Sequence, residues 1–277
     1  MRTAAVIVIG NEILDGSTTD ANSGWMCRQV SGRGASTLQI CTVPDVKERI
    51  GLALDQAFAL RPNLILTLGG LGPTRDDLTV SAVAAYAGLP LRVDSKALAI
   101  VERRYRELAE QGRVPEPNSE ETRRAREKMA LFPKGGEAIF NDVGAAPALH
   151  LVVRGSGILS LPGVPAELKS IVLNHSTHVF ARWLGVGAFG NVNIVTSSND
   201  ESALDAALRD FDAASQFDVY LKSRARRFGD DVRVLVTLSA KGASRAETET
   251  RLAEALQAFG KALQDHGLDI LETSHDG

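Results

Sequence analysis

The chain has 277 residues, of which 44% are hydrophobic and 23% charged, and its formal net charge is −3 at pH 7. That length holds one large α/β domain or a medium domain and a small one, and the charge excludes a general attraction to nucleic acid or to anionic membranes. The only cysteines, Cys27 and Cys41, make neither a disulfide framework nor a zinc cage, which points to free thiols in a reducing cytoplasm.

The opening "MRTAAVIVIGNEI" has an apolar core too short for a signal peptide. It reads instead as a first strand over residues 4–10, apolar enough to be buried on both faces of a parallel sheet. Nowhere does an apolar run reach the length of a membrane span. The period then turns helical over residues 18–30, with Ala21, Trp25 and Met26 inward, and returns to strand over residues 35–43. A helix over residues 46–60, a strand over 63–70 and a helix over 78–87 follow. Charged helices over residues 94–110 and 119–129 are joined by the turn-rich "QGRVPEPN". Short strands over 148–154 and 157–161 lead into "PGVPAELKSIV", which starts another helix. The composition resets near residues 184–190. Beyond it, strands over 191–196, 218–222 and 231–239 and helices over 201–209 and 244–264 make a small α+β unit. The expected division is residues 1–184 and 190–272, the first part a doubly wound three-layer α/β/α sheet.

In such sheets ligands bind outside the carboxyl ends of the strands. Three polar segments fall at those ends: Gly10-Asn11-Glu12, Pro44-Asp45, and "LTLGGLGPTRDDLT" from Leu66 to Thr79. In the last, Gly69, Gly70 and Gly72 allow close backbone approach, Pro73 stiffens the turn, and Thr74 offers a hydroxyl or a cap. No Gly-Lys-Ser/Thr follows, so the loop is not a Walker loop; a tight turn with no ligand remains the alternative. Asp76 and Asp77 would repel a bare phosphate, but a divalent cation reverses that sign, since carboxylate and phosphate oxygens both ligate Mg²⁺. The same acids also suit the positive end of a helix without any metal. Glu12 and Asp45 are candidates to complete an acidic cluster, and Asn22 a neutral partner for a ribose or phosphate.

Other motifs carry less. "GVGAFG" at residues 185–190 has dinucleotide-loop spacing but follows a helix and precedes a strand, the reverse of the required order. His175 and His178 lack a third ligand. "YLKSRARRFGDDVR" holds five basic residues but few interleaved aromatics, so it reads as a solvated hairpin rather than a nucleic-acid face.

Taken in order, "IGNEILDGSTTDANSGWM", "TVPDVKERI", "LTLGGLGPTRDDLT", "EKMALFPKG", "NDVGAAPA" and "LPGVPAEL" resemble the N-terminal region of the CinA family and, more distantly, the MoCF domain of molybdenum-cofactor biosynthesis. The resemblance covers about residues 5–170 and implies an α/β/α MoCF-type domain followed by a small domain. It further implies a cytoplasmic pyrophosphohydrolase that cleaves ADP-ribose, or a related nucleotide diphosphate, to AMP and a sugar phosphate. Mg²⁺, Mn²⁺ or Co²⁺ would be held by Asp76, Asp77 and Glu12, with Asp45 a candidate base. Phosphate and substrate would be bound by Gly69, Gly70, Gly72, Thr74, Asn22, Asn141 and Lys222. The rivals are a molybdopterin-binding or adenylyl-transferring domain and a non-catalytic nucleotide sensor. The resemblance implies a small-molecule partner and a homodimer, while charge and hydropathy point to no nucleic-acid or membrane partner. The chain shows no counterpart of the amidase domain of longer CinA proteins, so an amidase is not expected. Three positions depart from the family pattern: Leu68 stands where a Thr usually precedes the glycines, and Ala145 and Ala148 where Thr and Gly are common.

Overall fold

The computed structural model describes residues 1–114, 119–214, 217–228 and 231–275. The tip of "QGRVPEPN" (115–118) and residues 229–230 of the basic hairpin lie outside them. The chain divides into two compact units, Met1–Val30 with Ser36–Gly185, and Ser31–Ala35 with Val186–Gly277.

In the first unit the order is β1 (Thr3–Ile9), α1 (Asn11–Leu14), α2 (Asn22–Ser31), β2 (Ser36–Val43), α3 (Lys47–Ala59), β3 (Leu64–Leu68) and α4 (Thr79–Tyr86). There follow β4 (Leu91–Val93), α5 (Ser95–Glu110), α6 (Glu120–Lys128), β5 (Leu131–Pro133), β6 (Glu137–Ile139), β7 (Ala148–Val153), β8 (Ser156–Leu161) and α7 (Pro165–Ser170). A π-helical turn, Ile171–His175, leads to α8 (Thr177–Leu184). The main sheet has the order β2-β1-β3-β8-β7-β6. β2, β1, β3 and β8 are parallel, while β7 and β6 run antiparallel to their neighbours. The apolar runs are buried as their composition demands: Ile7, Leu64, Ile65, Leu66, Leu149 and Ile158 are inaccessible to solvent. Ile50, Leu54 and Ala57 of α3 and Ala82 and Val83 of α4 close one face of the sheet. Each fully buried Leu or Ile contributes about 1.5–3 kcal/mol relative to exposure.

Local chemistry moves several element boundaries from those the periodicity suggests. The first long helix starts at Asn22 rather than residue 18, because the Asp20 carboxylate accepts from the N–H groups of both Asn22 and Ser23 and so satisfies donors a helix start leaves open. β4, β5 and β6 are three-residue strands, too short for alternation to be read. α5 is capped by Asp94, whose side chain accepts from Ala97 N at 2.8 Å.

The second unit holds β9 (Ala188–Thr196), α9 (Glu201–Ala214), β10 (Val219–Phe228), β11 (Asp231–Gly242), α10 (Arg245–Asp265) and β12 (Ile270–Ser274). Its sheet is antiparallel, in the order β10-β11-β9-β12. This is a βαββαβ arrangement. Val192, Ile194, Val234, Val236 and Leu238 pack against Leu204 and Phe211 of α9 and Leu252, Phe259 and Leu263 of α10. β10 runs to Phe228, well past residue 222; its basic side chains conceal a strand whose partner β11 is strongly apolar. Among the described residues no helix is long and apolar enough to cross a membrane.

The cap at Asp94 gives a direct check on the first unit. Asp94→Ala removes the acceptor for Ala97 N and is expected to cost about 1 kcal/mol, read as a lower midpoint with unchanged slope in urea denaturation.

Candidate functional site

β1, β2, β3 and β8 all run in the same direction, so their carboxyl ends share one rim. There a cavity of about 560 Å³ opens, lined entirely by first-unit residues. The strand-end segments supply Ile9, Gly10, Glu12, Asp45, Gly69, Gly70, Gly72, Asp76 and Asp77. Pro162, Gly163, Val164 and Glu167 come from the end of β8 and the start of α7, while Tyr105, Met129, Ala145 and Ala146 form the apolar side.

The glycine loop is held by its own polypeptide. Gly69 donates from its N–H to Leu161 O at 2.9 Å, and its φ of +111° lies where side-chain-bearing residues are rare. A Cβ at this position would overlap the Ile9 carbonyl oxygen. Gly70 also has positive φ, +69°. The following helix end is engaged with the loop: the Thr79 hydroxyl donates to Gly69 O at 2.7 Å and Thr79 N donates to Gly70 O at 3.1 Å. The start of α4 is thus tied back to the loop. Its leading N–H is spent on the loop's own backbone.

The two aspartates are drawn into the same loop. The Thr74 hydroxyl stands 2.5 Å from both Asp76 Oδ1 and Asp77 Oδ2, and Thr74 N donates to Asp77 Oδ2 at 2.9 Å. Lys128, at the end of α6, donates from Nζ to Asp77 O at 2.8 Å and also to Thr74 O. The hydrogen bond from Thr74, the backbone and the Lys128 charge hold the Asp76 carboxyl below its ordinary range. Burial pulls the Lys128 amine down, against the upward pull of Asp77 and Asp76. Asp45 behaves oppositely. Burial pushes its carboxyl up, and the charges of Glu12 and Asp76 add to that, against hydrogen bonds from Asn11 N at 2.8 Å and from its own backbone.

The sequence-derived candidates thus separate. Glu12, Asp45, Gly69, Gly70, Gly72, Asp76 and Asp77 line the cavity together. Thr74 is exposed and bound to the aspartates, so it organises the loop rather than facing the cavity. Asn22 is buried and donates to Gly163 O at 2.6 Å, tying α2 to the β8–α7 loop. Asn141 is fully buried and all its hydrogen-bonding capacity is spent. It donates to Ala146 O and Glu167 Oε2 and accepts from Val143 N and Gly144 N. Its role is to shape the 141–146 loop, which corrects the expectation of ligand contact. Lys222 lies in the second unit, exposed on β10. His175 and His178 face different carboxylates, Asp142 and Glu137. Of the departures, only Ala145 lines the cavity; Leu68 and Ala148 are buried in the sheet. Glu167, Tyr105 and Lys128 escaped the sequence reading. Each sits in an ordinary-looking helix; "EKMALFPKG" and "LPGVPAEL" mark Lys128 and Glu167 only as parts of longer segments.

Among the described residues no three acidic, imidazole or thiol groups converge into a metal cage. The cavity nevertheless carries five carboxylates, Glu12, Asp45, Asp76, Asp77 and Glu167, with no Lys, Arg or His in its lining. A cation there would have to draw most of its ligands from phosphate oxygens and water, the usual habit of Mg²⁺, beside one or two of Asp76, Asp77 and Glu12.

A parallel-dominated sheet between helices, with a glycine loop at the strand ends, defines a MoCF-type domain. The chain belongs to the MoCF family of molybdenum-cofactor biosynthesis, described as a probable molybdopterin binding domain, whose family model matches residues 5–182. Within it the protein is CinA-like. Its structure is similar to that of CinA from Thermoplasma acidophilum, described as of unknown function, with 33% identity, a TM-score of 0.55, and coverage of 66% of this chain and 99% of that one. A protein of Thermococcus kodakarensis is 33% identical over 95% of this chain and 99% of its own length. One of Pyrococcus horikoshii is 33% identical over 84% and 88%.

The raised Asp45 carboxyl has a stability consequence. A carboxylate whose pKa is higher in the folded than in the unfolded chain weakens the fold above the folded pKa, and this cost disappears below the unfolded value near 4. Asp45→Asn should therefore melt at a higher temperature than wild type at pH 7, with the gap closing as pH falls towards 3, read by thermal denaturation across that range.

Proposed function

We propose that the pocket binds a phosphate-bearing pterin of the molybdopterin class, with a divalent cation across the phosphates. The observation that carries this reading is the continuity of one cavity from a backbone glycine cradle to an apolar slot. Leu71, Met129 and Ala146 pack together there, with Tyr105 and Ala145 against them. The volume of about 560 Å³ is of the size that takes a bicyclic ring with its phosphates. Arg126 lies 3.9 Å over the Tyr105 ring and fixes that wall. Family membership supports the same ligand class.

A second reading rests on the rim acids, which binding alone does not require: hydrolysis of ADP-ribose or a related nucleotide diphosphate. A bound Mg²⁺, Mn²⁺ or Co²⁺ would neutralise charge on the phosphates. Asp45, made more basic by burial and its acidic neighbours, takes a proton from water as that water attacks phosphorus. The anhydride P–O bond breaks, its electron pair leaves with the departing phosphate, and ADP-ribose plus water becomes AMP plus ribose 5-phosphate.

One set of measurements tests both readings. A pterin diphosphate titrated calorimetrically with Mg²⁺ should bind in the micromolar range or tighter; absence of binding overturns the first reading. AMP release from ADP-ribose is followed with each of the three metals. The hydrolytic reading expects release that falls by about 100-fold or more in Asp45→Asn, and it is abandoned if wild type releases no AMP with any metal.

A further inference from the structure

Glu167 is the cavity carboxylate that the acid cluster does not account for. It sits in the first turn of α7, half-buried, and lines the pocket. Its Oε2 accepts from Asn141 Nδ2 at 2.7 Å. Asn141 is itself held rigidly, since its other bonds go to the backbone of residues 143, 144 and 146. Arg104, almost fully buried on α5, braces the same loop by donating to Gly144 O at 2.9 Å and Val143 O at 3.1 Å. Gly144 leaves the space the carboxylate occupies; a Cβ there would overlap both carboxylate oxygens. Burial pushes the Glu167 carboxyl up, while the Asn141 bond and the Arg104 charge pull it back. Among the described residues, Oε1 has no hydrogen-bond donor. A carboxylate accepts through about four lone-pair positions, and one is used here.

We infer that Glu167 selects the ring of the ligand, accepting from the adjacent ring N–H and exocyclic amino group of a 2-amino-4-oxo heterocycle, the edge shared by pterins and guanine. This rests on the proposal that the pocket takes a phosphate-bearing heterocycle. Two neighbouring donors match a carboxylate in bidentate fashion, and such charge-assisted pairs are the strong ones. Adenine presents one amino donor flanked by ring-nitrogen acceptors, so the same carboxylate would face a lone pair. The orientation set by Asn141 makes the prediction sharper. In Glu167→Gln, the amide oxygen takes the Asn141 donor and the amide NH₂ is turned to the pocket, where it opposes the two donors of the ring.

The test uses the full chain with Mg²⁺ and four probes in calorimetric titrations: 6-hydroxymethyl-dihydropterin diphosphate, GDP, ADP and inorganic pyrophosphate. Wild type should bind the pterin diphosphate and GDP at least about tenfold more tightly than ADP. Glu167→Gln should weaken the first two by about 10- to 100-fold, the range expected for one hydrogen-bonded charged partner, and leave ADP and pyrophosphate unchanged. Gly144→Ala, whose new methyl displaces the carboxylate without altering its chemistry, should lose the same selectivity. Equal affinity of wild type for GDP and ADP overturns the inference and needs no variant to fold. So does an equal loss for all four probes in Glu167→Gln, the mark of a purely structural role. If pyrophosphate binds but the rings make no difference, the phosphate cradle survives and the Glu167 assignment falls. If nothing binds, pyrophosphate included, the pocket proposal itself fails.

Discussion

The arrangement turns on how closely two parallel strands approach at their carboxyl ends. β3 leaves the sheet through Gly69, whose α-carbon passes so near the Ile9 carbonyl of β1 that no side chain fits between them. From that contact the chain doubles back through Gly70, and Thr79 locks the return by bonding both glycine carbonyls. The glycine loop therefore lies across the mouth of the sheet instead of running straight into α4. Glu12 and Asp45, at the ends of β1 and β2, meet it at one cavity, and the β8–α7 segment closes that cavity on another side. A strand order that places β1 between β2 and β3 is what gathers these segments.

Electrostatics then decides what the cavity can hold. A glycine loop ringed by carboxylates is unfavourable for a bare phosphate. The Asp76–Asp77 pair is partly quenched within the protein, by the Thr74 hydroxyl and by a lysine seated on the loop carbonyls. The remaining acids, Glu12, Asp45 and Glu167, still exceed what the lining can neutralise. Ligands that bring their own positive charge or hydrogen-bond donors are favoured, a requirement that the proposed cation and the proposed donor-rich ring would each meet.

Much of this was legible in the sequence because it is local. A glycine cluster after an apolar run, acids just beyond it and polar residues at two other strand ends can each be read in a few positions, and the sheet topology brings them together. What could not be read arrives from far along the chain. Lys128 reaches the aspartate loop from about fifty residues away, and Asn141 meets Glu167 across two strands. Asn141 was legible as a residue of interest but not as one buried with every bond spent, since burial of a polar side chain leaves no mark on its neighbours in sequence. Leu68 shows the converse. Its missing hydroxyl looked like a change to the pocket, yet the side chain is buried beside Val8 and Leu161, so the departure belongs to the sheet's packing.

The central claim, that the backbone of the glycine loop is the phosphate seat, is tested most directly by following backbone amide resonances while inorganic pyrophosphate and Mg²⁺ are titrated into the protein. The account predicts that the largest shifts fall on the N–H groups of Gly70, Leu71 and Gly72 and saturate together. Saturable binding with those amides unmoved, and the shifts concentrated elsewhere, would contradict it.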